Sequence, residues 1–129
     1  MAKFVHSDVL DGGLSAIKTA ATKMFLISAY TAGDSYATVT AAKLNAGVTM
    51  ATGDFTLSST GNNRVLTVAG SKTDAVTVSA LGTPDLHIAF TDGTAKVLWV
   101  TDETSNQPIT SGNTINFPSG LTYTSNQPT

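Results

Sequence analysis

The chain has 129 residues, which is enough for one domain with a single modest hydrophobic core. Charged residues make up only 12% of it, the formal net charge is −2, and the basic residues are scattered, so the sequence argues against a nucleic-acid-binding surface. The absence of cysteine excludes a disulfide framework, a thiol nucleophile and a cysteine-bound zinc site. Ser and Thr fill roughly a quarter of the positions, which suits a β-rich domain or a surface that a partner covers.

A short arm over 1–6 and a helix over 7–22 are predicted at the N-terminus. Ser7 is the predicted N-cap, and Asp8 follows in the first turn, where the helix dipole favours an acid. Apolar residues then recur on one stripe at helical spacing, at Leu10, Leu14, Ile17 and Ala21. The N-terminal residues lack a continuous apolar core before a cleavage site, so no secretory signal is expected.

The next segment, Met24 to Tyr30, is short, β-prone and apolar on both alternating faces, which predicts a central strand covered on both sides. A loop is predicted over 31–35. The stretch 36–45 leaves two alternatives open, a short helix capped by Ser35 or a strand. No apolar run is long enough to span a bilayer, so a soluble chain made inside a cell is expected.

From residue 48 onward the sequence predicts a succession of short strands separated by turn residues. One strand begins at 55–57, a turn of small polar residues is predicted over 58–63, and a return strand over 64–69. Residues 75–79 alternate again, and this alternation places two apolar residues on one face, Val76 and Val78.

The clearest local signal is Asp92-Gly93 between the alternating runs 86–91 and 94–101. It predicts a β-hairpin with a type I′ turn, in which both central residues have positive φ. Strict alternation divides the apolar residues of the return strand into two faces, Leu98 with Val100 and Val97 with Trp99. The hairpin is therefore expected to need cover on both sides.

The last predicted unit is hairpin-like: a strand through Ile115 and Phe117 that stops at Pro118, then a return at 121–123. A tail over 124–129 is expected to be mobile or to be ordered only by a partner. The fold class predicted for 7–123 is mainly β, a small antiparallel β-sandwich or barrel-like domain with one N-terminal helix.

The sequence holds two histidines and no catalytic constellation. His87 alternates with Ala89 in its strand and is expected to face solvent or an interface, and His6 lies beside the predicted helix cap. Asp102 and Glu103 are adjacent, which favours a turn over two converging carboxylates. We therefore predict no catalytic residue, no cofactor and no metal site, and we expect the protein not to be an enzyme.

The order of segments along nearly the whole chain carries a family resemblance. The helix SDVLDGGLSAIKTAATKM is followed by FLISA, by KLNAGVTMATGDFTLS and NRVLTVAG, and then by DLHIAFTDGTAKVLWVTDETSNQPITSGNTINFP. This succession resembles the small structural proteins of tailed bacteriophages. The resemblance implies a non-enzymatic virion component.

Head decoration is the placement that we favour, because small clamps with a β body and a docking arm add buried area at many equivalent places on a capsid. The implied location is the capsid surface after synthesis in the host cytoplasm, and the implied partners are the major capsid protein and copies of the chain itself, without nucleic acid, membrane or cofactor. Four residues are candidate partner contacts: Phe4, Val5, Trp99 and Tyr123. Phe4 and Val5 could instead staple the helix start, and Trp99 could belong to the core.

Two alternatives remain open. A tail or neck structural protein fits the same resemblance. A carbohydrate- or receptor-binding β module of the virion would instead bring aromatic residues together on one exposed face, namely Tyr30, Tyr36, Trp99 and Tyr123.

Overall fold

The structure is a computed structural model that describes residues 2–129, so Met1 of the predicted arm lies outside the described residues. Within that range the chain forms two helices, a 3-10 turn at Thr52–Asp54 and nine strands in three antiparallel sheets. The predicted fold class, mainly β and antiparallel with a helix near the N-terminus, is confirmed. The helices and strands are α1 (Ser7–Ala20), β1 (Lys23–Ile27), α2 (Tyr36–Ala41), β2 (Val48–Thr49), β3 (Phe55–Thr60), β4 (Asn63–Val68), β5 (Thr73–Ala75), β6 (His87–Thr91), β7 (Val97–Asp102), β8 (Thr114–Asn116) and β9 (Thr122–Ser125).

Helix α1 packs on β3, β4 and β9 and touches β7. Its N-cap is His6 and not Ser7: His6 has extended backbone, and its Nδ1 accepts a hydrogen bond from the Asp8 N–H at 3.2 Å. The predicted apolar stripe is buried, at Leu10, Leu14, Ile17 and Ala21. Neither helix of the described chain has the length and apolarity needed to cross a membrane.

The four-stranded sheet has the order β2-β1-β6-β7 and is covered on both faces. On its inner face Leu26, Ile88 and Phe90 belong to the main core, which α1 and all three sheets share. Alternate residues of the same strands point outward and pack against α2, forming a small cluster of Phe25, Ile27, Val39 and Ala89. The prediction of a central strand covered on both sides is therefore confirmed. Of the two alternatives for 36–45, the structure shows the short helix, α2.

The three-stranded sheet has the order β3-β4-β9. The turn predicted over 58–63 is wrong, because β3 continues to Thr60 and the chain reverses at Gly61 and Asn62 alone. Gly61 has a φ of +61°, which suits glycine in so tight a reversal. The Ser and Thr residues that resembled a turn are paired along β4 and face solvent.

The β6–β7 hairpin forms, but its loop has five residues instead of two. Asp92 Oδ1 accepts hydrogen bonds from the backbone N–H groups of Thr94, Ala95 and Lys96, which stabilises the longer loop. Phe90 pairs with Trp99 and Thr91 with Val97, so Leu98 is an extra residue in a bulge. The bulge overturns the predicted faces: Leu98 and Trp99 pack toward the main core, and Val97 and Val100 pack toward the outer cluster.

The third sheet pairs β5 with β8. Two predictions for the segments in and near this sheet are wrong. The strand predicted over 75–79 ends early, because the backbone N–H groups of Thr77 and Val78 both turn to the Leu44 carbonyl. Val76 is buried, whereas Val78 is 52% exposed. The predicted C-terminal hairpin does not form either: β8 pairs with β5, while β9 pairs with β4.

Candidate functional site

An uncharged groove lies between α1 and the strands β7 and β9, and we call it the helix-side groove. Its volume is about 350 Å³. The residues that line it are Val9, Leu10, Gly13, Leu14, Ala16, Ile17, Leu98, Tyr123 and Ser125. None of these residues carries a charge, in a chain whose surface elsewhere presents lysine and aspartate.

Two of the large apolar side chains at the groove are open to solvent. Val9 is 70% exposed on α1, and Tyr123 is 44% exposed on β9. The Tyr123 ring stands edge-on to Trp99, with the ring centroids 5.8 Å apart, and Trp99 stacks on Phe90 at 4.9 Å. Of the predicted partner contacts, Tyr123 therefore lies at the surface, whereas Trp99 lies beneath it in the core and supports it.

Helix α1 is held on the three-stranded sheet by an ion pair. Arg64 of β4 donates to both carboxylate oxygens of Asp11, with Nε to Oδ1 at 2.7 Å and Nη2 to Oδ2 at 3.1 Å. The hydrogen bond to Asp11 raises the pKa of Arg64. Planar two-point pairing restricts both side chains, so the helix wall of the groove is fixed relative to β4.

The N-terminal arm is attached to the C-terminal tail. Gln127 Oε1 accepts from the Val5 N–H at 2.8 Å, and Gln127 Nε2 donates to the Val5 carbonyl at 2.7 Å. The same Nε2 group donates to the carbonyl of Asn62 in the β3–β4 turn at 2.9 Å. Of the two arm residues predicted as partner contacts, Val5 is thus half-buried, while Phe4 is 70% exposed.

The tail differs from the expectation for 124–129. Thr124 and Ser125 pair with β4 as the end of β9, and Gln127 is held by the backbone carbonyls of Val5 and Asn62 and by the side-chain oxygen of Asn63. Sequence reasoning missed Gln127 because its partners lie 64, 65 and 122 positions away. A solitary glutamine in a polar tail carries no local signal for such contacts.

A histidine–carboxylate cluster lies at the open end of the β6–β7 hairpin. Asp85, His87 and Asp102 each offer one ligand atom, and these atoms all lie within 4.8 Å of one another. His87 and Asp102 are directly opposite in the strand register, with Nε2 and Oδ1 3.9 Å apart. In the sequence Asp102 is adjacent to Glu103 and 15 positions from His87, so local patterns do not place these three side chains together.

The aromatic residues proposed for a carbohydrate platform are divided between two sides of the four-stranded sheet. Tyr30 packs with the outer cluster, whereas Trp99 belongs to the main core and Tyr123 packs against Trp99. Comparison with protein-family models, with curated proteins and with solved structures found no match for this chain. Functional inference accordingly depends on the residues themselves and on the segment order noted above.

Proposed function

We propose that this protein is a non-enzymatic structural component of a bacteriophage virion, a head decoration protein that binds the outer capsid lattice and stabilises it. The observation that carries the proposal is the uncharged helix-side groove, with exposed Val9 and Tyr123 at its rim. The major capsid protein is the proposed partner of this groove.

The composition of the groove matches the central part of a protein–protein interface. Such interfaces are depleted in charged residues and enriched in aromatic side chains, of which Tyr123 is an example here. Leu98 and Ala16 add apolar area without charge. A polar ligand of small size would find no charged group in this lining to orient it.

The groove is also rigid before it meets a partner. Its helix wall is fixed by Arg64 and Asp11, and Tyr123 on the opposite wall packs against Trp99, which stacks on Phe90. A pre-formed surface loses little conformational entropy on binding, so a modest contact area can be effective. Repetition over a capsid lattice increases the effect, since neighbouring contacts engage at high effective concentration.

The exposed Phe4 side chain supports a second contact. Phe4 is next to Val5, which Gln127 holds, so the aromatic ring is presented from an anchored backbone. In the proposed assembly Phe4 contacts an adjacent copy of the chain. Each of the two predicted partners thus has its own surface: the groove contacts the capsid protein, and the arm contacts another copy of the decoration protein.

The test uses particles assembled without this protein and a pair of matched valine variants. Val9→Glu places a carboxylate at the groove in the first turn of α1, where the helix dipole tolerates an acid, so the fold is preserved. Val78→Glu makes the same change at an exposed valine away from the groove. We expect the wild-type protein and Val78→Glu to co-sediment with the particles at equal saturation, and Val9→Glu to bind at least about tenfold more weakly.

The proposal fails if the wild-type protein does not bind such particles. If Val9→Glu and Val78→Glu weakened binding to the particles equally, the groove would not be part of the interface. Electron microscopy of intact particles carrying a labelled chain distinguishes the capsid surface from the tail or neck, because label at the tail would refute head decoration directly.

A further inference from the structure

We propose that Asp85, His87 and Asp102 bind one divalent transition-metal ion of the zinc type at the open end of the β6–β7 hairpin. The site is separate from the helix-side groove and does not depend on the proposed function. It revises the expectation, drawn from the sequence, that the chain has no metal site.

The positions of the three residues follow from strand geometry. Asp85 and His87 are two residues apart, and residues at i and i+2 of an extended chain project from the same face. Asp102 is the direct cross-strand partner of His87. One imidazole and two carboxylates therefore converge at one point, with all three ligand atoms within 4.8 Å of one another.

The hydrogen bonding of His87 favours a cation between the imidazole and Asp102. His87 Nδ1 lies 3.2 Å from the backbone carbonyl oxygen of Asp85, and because a carbonyl only accepts, Nδ1 must carry the proton of this bond. Nε2 is then the ring nitrogen left for a metal ion, and it lies 3.9 Å from Asp102 Oδ1. A metal ion between these two atoms could bind both of them and the nearby Asp85 carboxylate. A backbone carbonyl on the second ring nitrogen is also the usual arrangement behind a metal-bound histidine.

The imidazole is the fixed ligand and the carboxylates are the adjustable ones. The His87 side chain is only 16% exposed and its ring packs at 5.8 Å from the Tyr30 ring, whereas the Asp102 side chain is 58% exposed. Metal–ligand bonds of about 2.0–2.2 Å place tetrahedral donors roughly 3.4 Å apart. The ligand atoms now lie within 4.8 Å of one another, so side-chain rotations that move the exposed carboxylate oxygens by up to about 1.4 Å reach that separation.

The donor set selects the class of metal. Imidazole nitrogen is a good ligand for Zn²⁺ and its neighbours in the transition series, while Ca²⁺ and Mg²⁺ prefer a full shell of oxygen donors. Three protein ligands leave at least one position to water. The site is thus expected to discriminate for Zn²⁺ against Ca²⁺.

The second histidine of the chain provides a matched control. His6 Nδ1 lies 3.5 Å from Asp8 Oδ2, so it too has a carboxylate neighbour. That nitrogen already accepts the Asp8 N–H as the cap of α1, and no third metal-binding side chain joins the pair among the described residues. His6→Ala therefore removes a histidine–aspartate pair without touching the proposed site.

The experiment is calorimetric titration of the metal-free, full-length protein with Zn²⁺, with Ca²⁺ in a parallel series. We expect one Zn²⁺ per chain, with affinity reduced at least about tenfold in His87→Ala and in Asp102→Asn and unchanged in His6→Ala. Asp102→Asn is the decisive variant, because its exposed side chain can change without loss of the fold. Thermal unfolding supplies a second readout: Zn²⁺ should raise the midpoint of the wild-type protein and of His6→Ala but not that of Asp102→Asn.

Three results would overturn the proposal: absence of Zn²⁺ binding by the wild-type protein, wild-type Zn²⁺ affinity in Asp102→Asn, or binding lost in His6→Ala to the same extent as in Asp102→Asn. Tighter binding of Ca²⁺ than of Zn²⁺ would refute the assigned class of metal. Co²⁺ substitution gives an independent check, since a nitrogen-containing tetrahedral site produces visible absorption that Asp102→Asn should abolish.

Discussion

The four-stranded and three-stranded sheets are both antiparallel, yet they are covered differently. The central strands β1 and β6 are buried on both faces, between the main core and the α2 cluster. In β3 and β9 the residues that face away from the core are Ser and Thr and lie in solvent. We therefore expect the four-stranded sheet to supply most of the stability, while the outer face of the three-stranded sheet is free to supply contacts.

The prediction with the largest expected effect compares one aromatic residue from each of the two sheets. Phe90 is fully buried and touches both Phe55 and Trp99, so Phe90→Ala should lower the free energy of unfolding by about 3–5 kcal/mol. Tyr123 touches Trp99 from the surface, and Tyr123→Ala should cost no more than about 1.5 kcal/mol. Urea denaturation measures both values. Equal losses would show that the two sheets share the stability evenly.

A buried amide provides the next comparison. Asn45 is fully buried, and its Oδ1 accepts from the Leu26 N–H of β1 at 2.9 Å while its Nδ2 donates to Asp74 at 2.9 Å. Asn45→Ala leaves the Leu26 N–H without a partner, so a loss of about 1–3 kcal/mol is expected in the same denaturation assay.

Asn63 of β4 is the matched residue in the other sheet. Its Oδ1 accepts from the Gln127 N–H at 2.8 Å, but the site is only half-buried and water can replace the amide. Asn63→Ala should therefore cost about 1 kcal/mol or less. A larger loss here than at Asn45 would contradict the assignment of stability to the four-stranded sheet.

The sequence Thr-Ser-Asn-Gln-Pro occurs twice, at 104–108 and at 124–128, which allows a third comparison. Gln127 of the second copy holds Val5, whereas Gln107 of the first copy is exposed. Gln127→Ala should leave global stability within about 1 kcal/mol but abolish the hydrogen-exchange protection of the Val5 amide, because only the arm is released. Gln107→Ala should leave that amide protected. Protection of Val5 that persists in Gln127→Ala would mean that other contacts hold the arm.

The smallest expected effect is a pH dependence that arises in the β6–β7 loop. Backbone N–H groups of Ala95, Lys96 and Thr94 hold the pKa of Asp92 well below its ordinary value of 3.8. Since the folded pKa lies below the unfolded one, the contribution of Asp92 to stability is complete above pH 3.8 and is lost as the pH falls through the folded pKa.

Asp92→Asn keeps an oxygen acceptor but does not titrate, so its stability should fall less steeply below pH 3.8 than that of the wild-type protein. Denaturation midpoints measured from pH 6 to pH 2 test this difference. Between pH 6 and pH 5 the denaturation midpoints of the two proteins should change in parallel. Identical slopes at acidic pH would place the acid sensitivity at another carboxylate, of which Asp54, whose pKa is lowered by its hydrogen bond to Lys72, is the first to examine.

Local periodicity was sufficient to predict the elements that build the main core. The stripe of α1 and the two-sided apolar run of β1 both follow from spacing within a few residues. The turn assigned to 58–63 failed for the opposite reason: Ser58, Ser59 and Thr60 resemble loop residues by composition, and only the partner strand β4 makes them a strand. Their pairing across the two-residue reversal belongs to the hairpin as a whole, and the composition of the segment alone does not reveal it.

The histidine–carboxylate cluster could not be predicted from the sequence, because the residue opposite His87 depends on the length of the β6–β7 loop. With a two-residue turn at Asp92-Gly93, Thr91 would pair with Thr94 and His87 would lie opposite Leu98. The five-residue loop and the bulge move the partner of His87 to Asp102 instead. The loop length is set by the hydrogen bonds of the Asp92 side chain, and a dipeptide rule for turns does not include such bonds.

The contact between Val5 and Gln127 has a consequence for the order of folding. It joins residues 122 positions apart, so it is among the most costly loops to close before the rest of the domain is in place. During synthesis the arm emerges before Gln127, so it has no partner until that residue has been made. The arm is therefore among the last parts of the described chain to become fixed, and until then Phe4 remains free to meet another molecule.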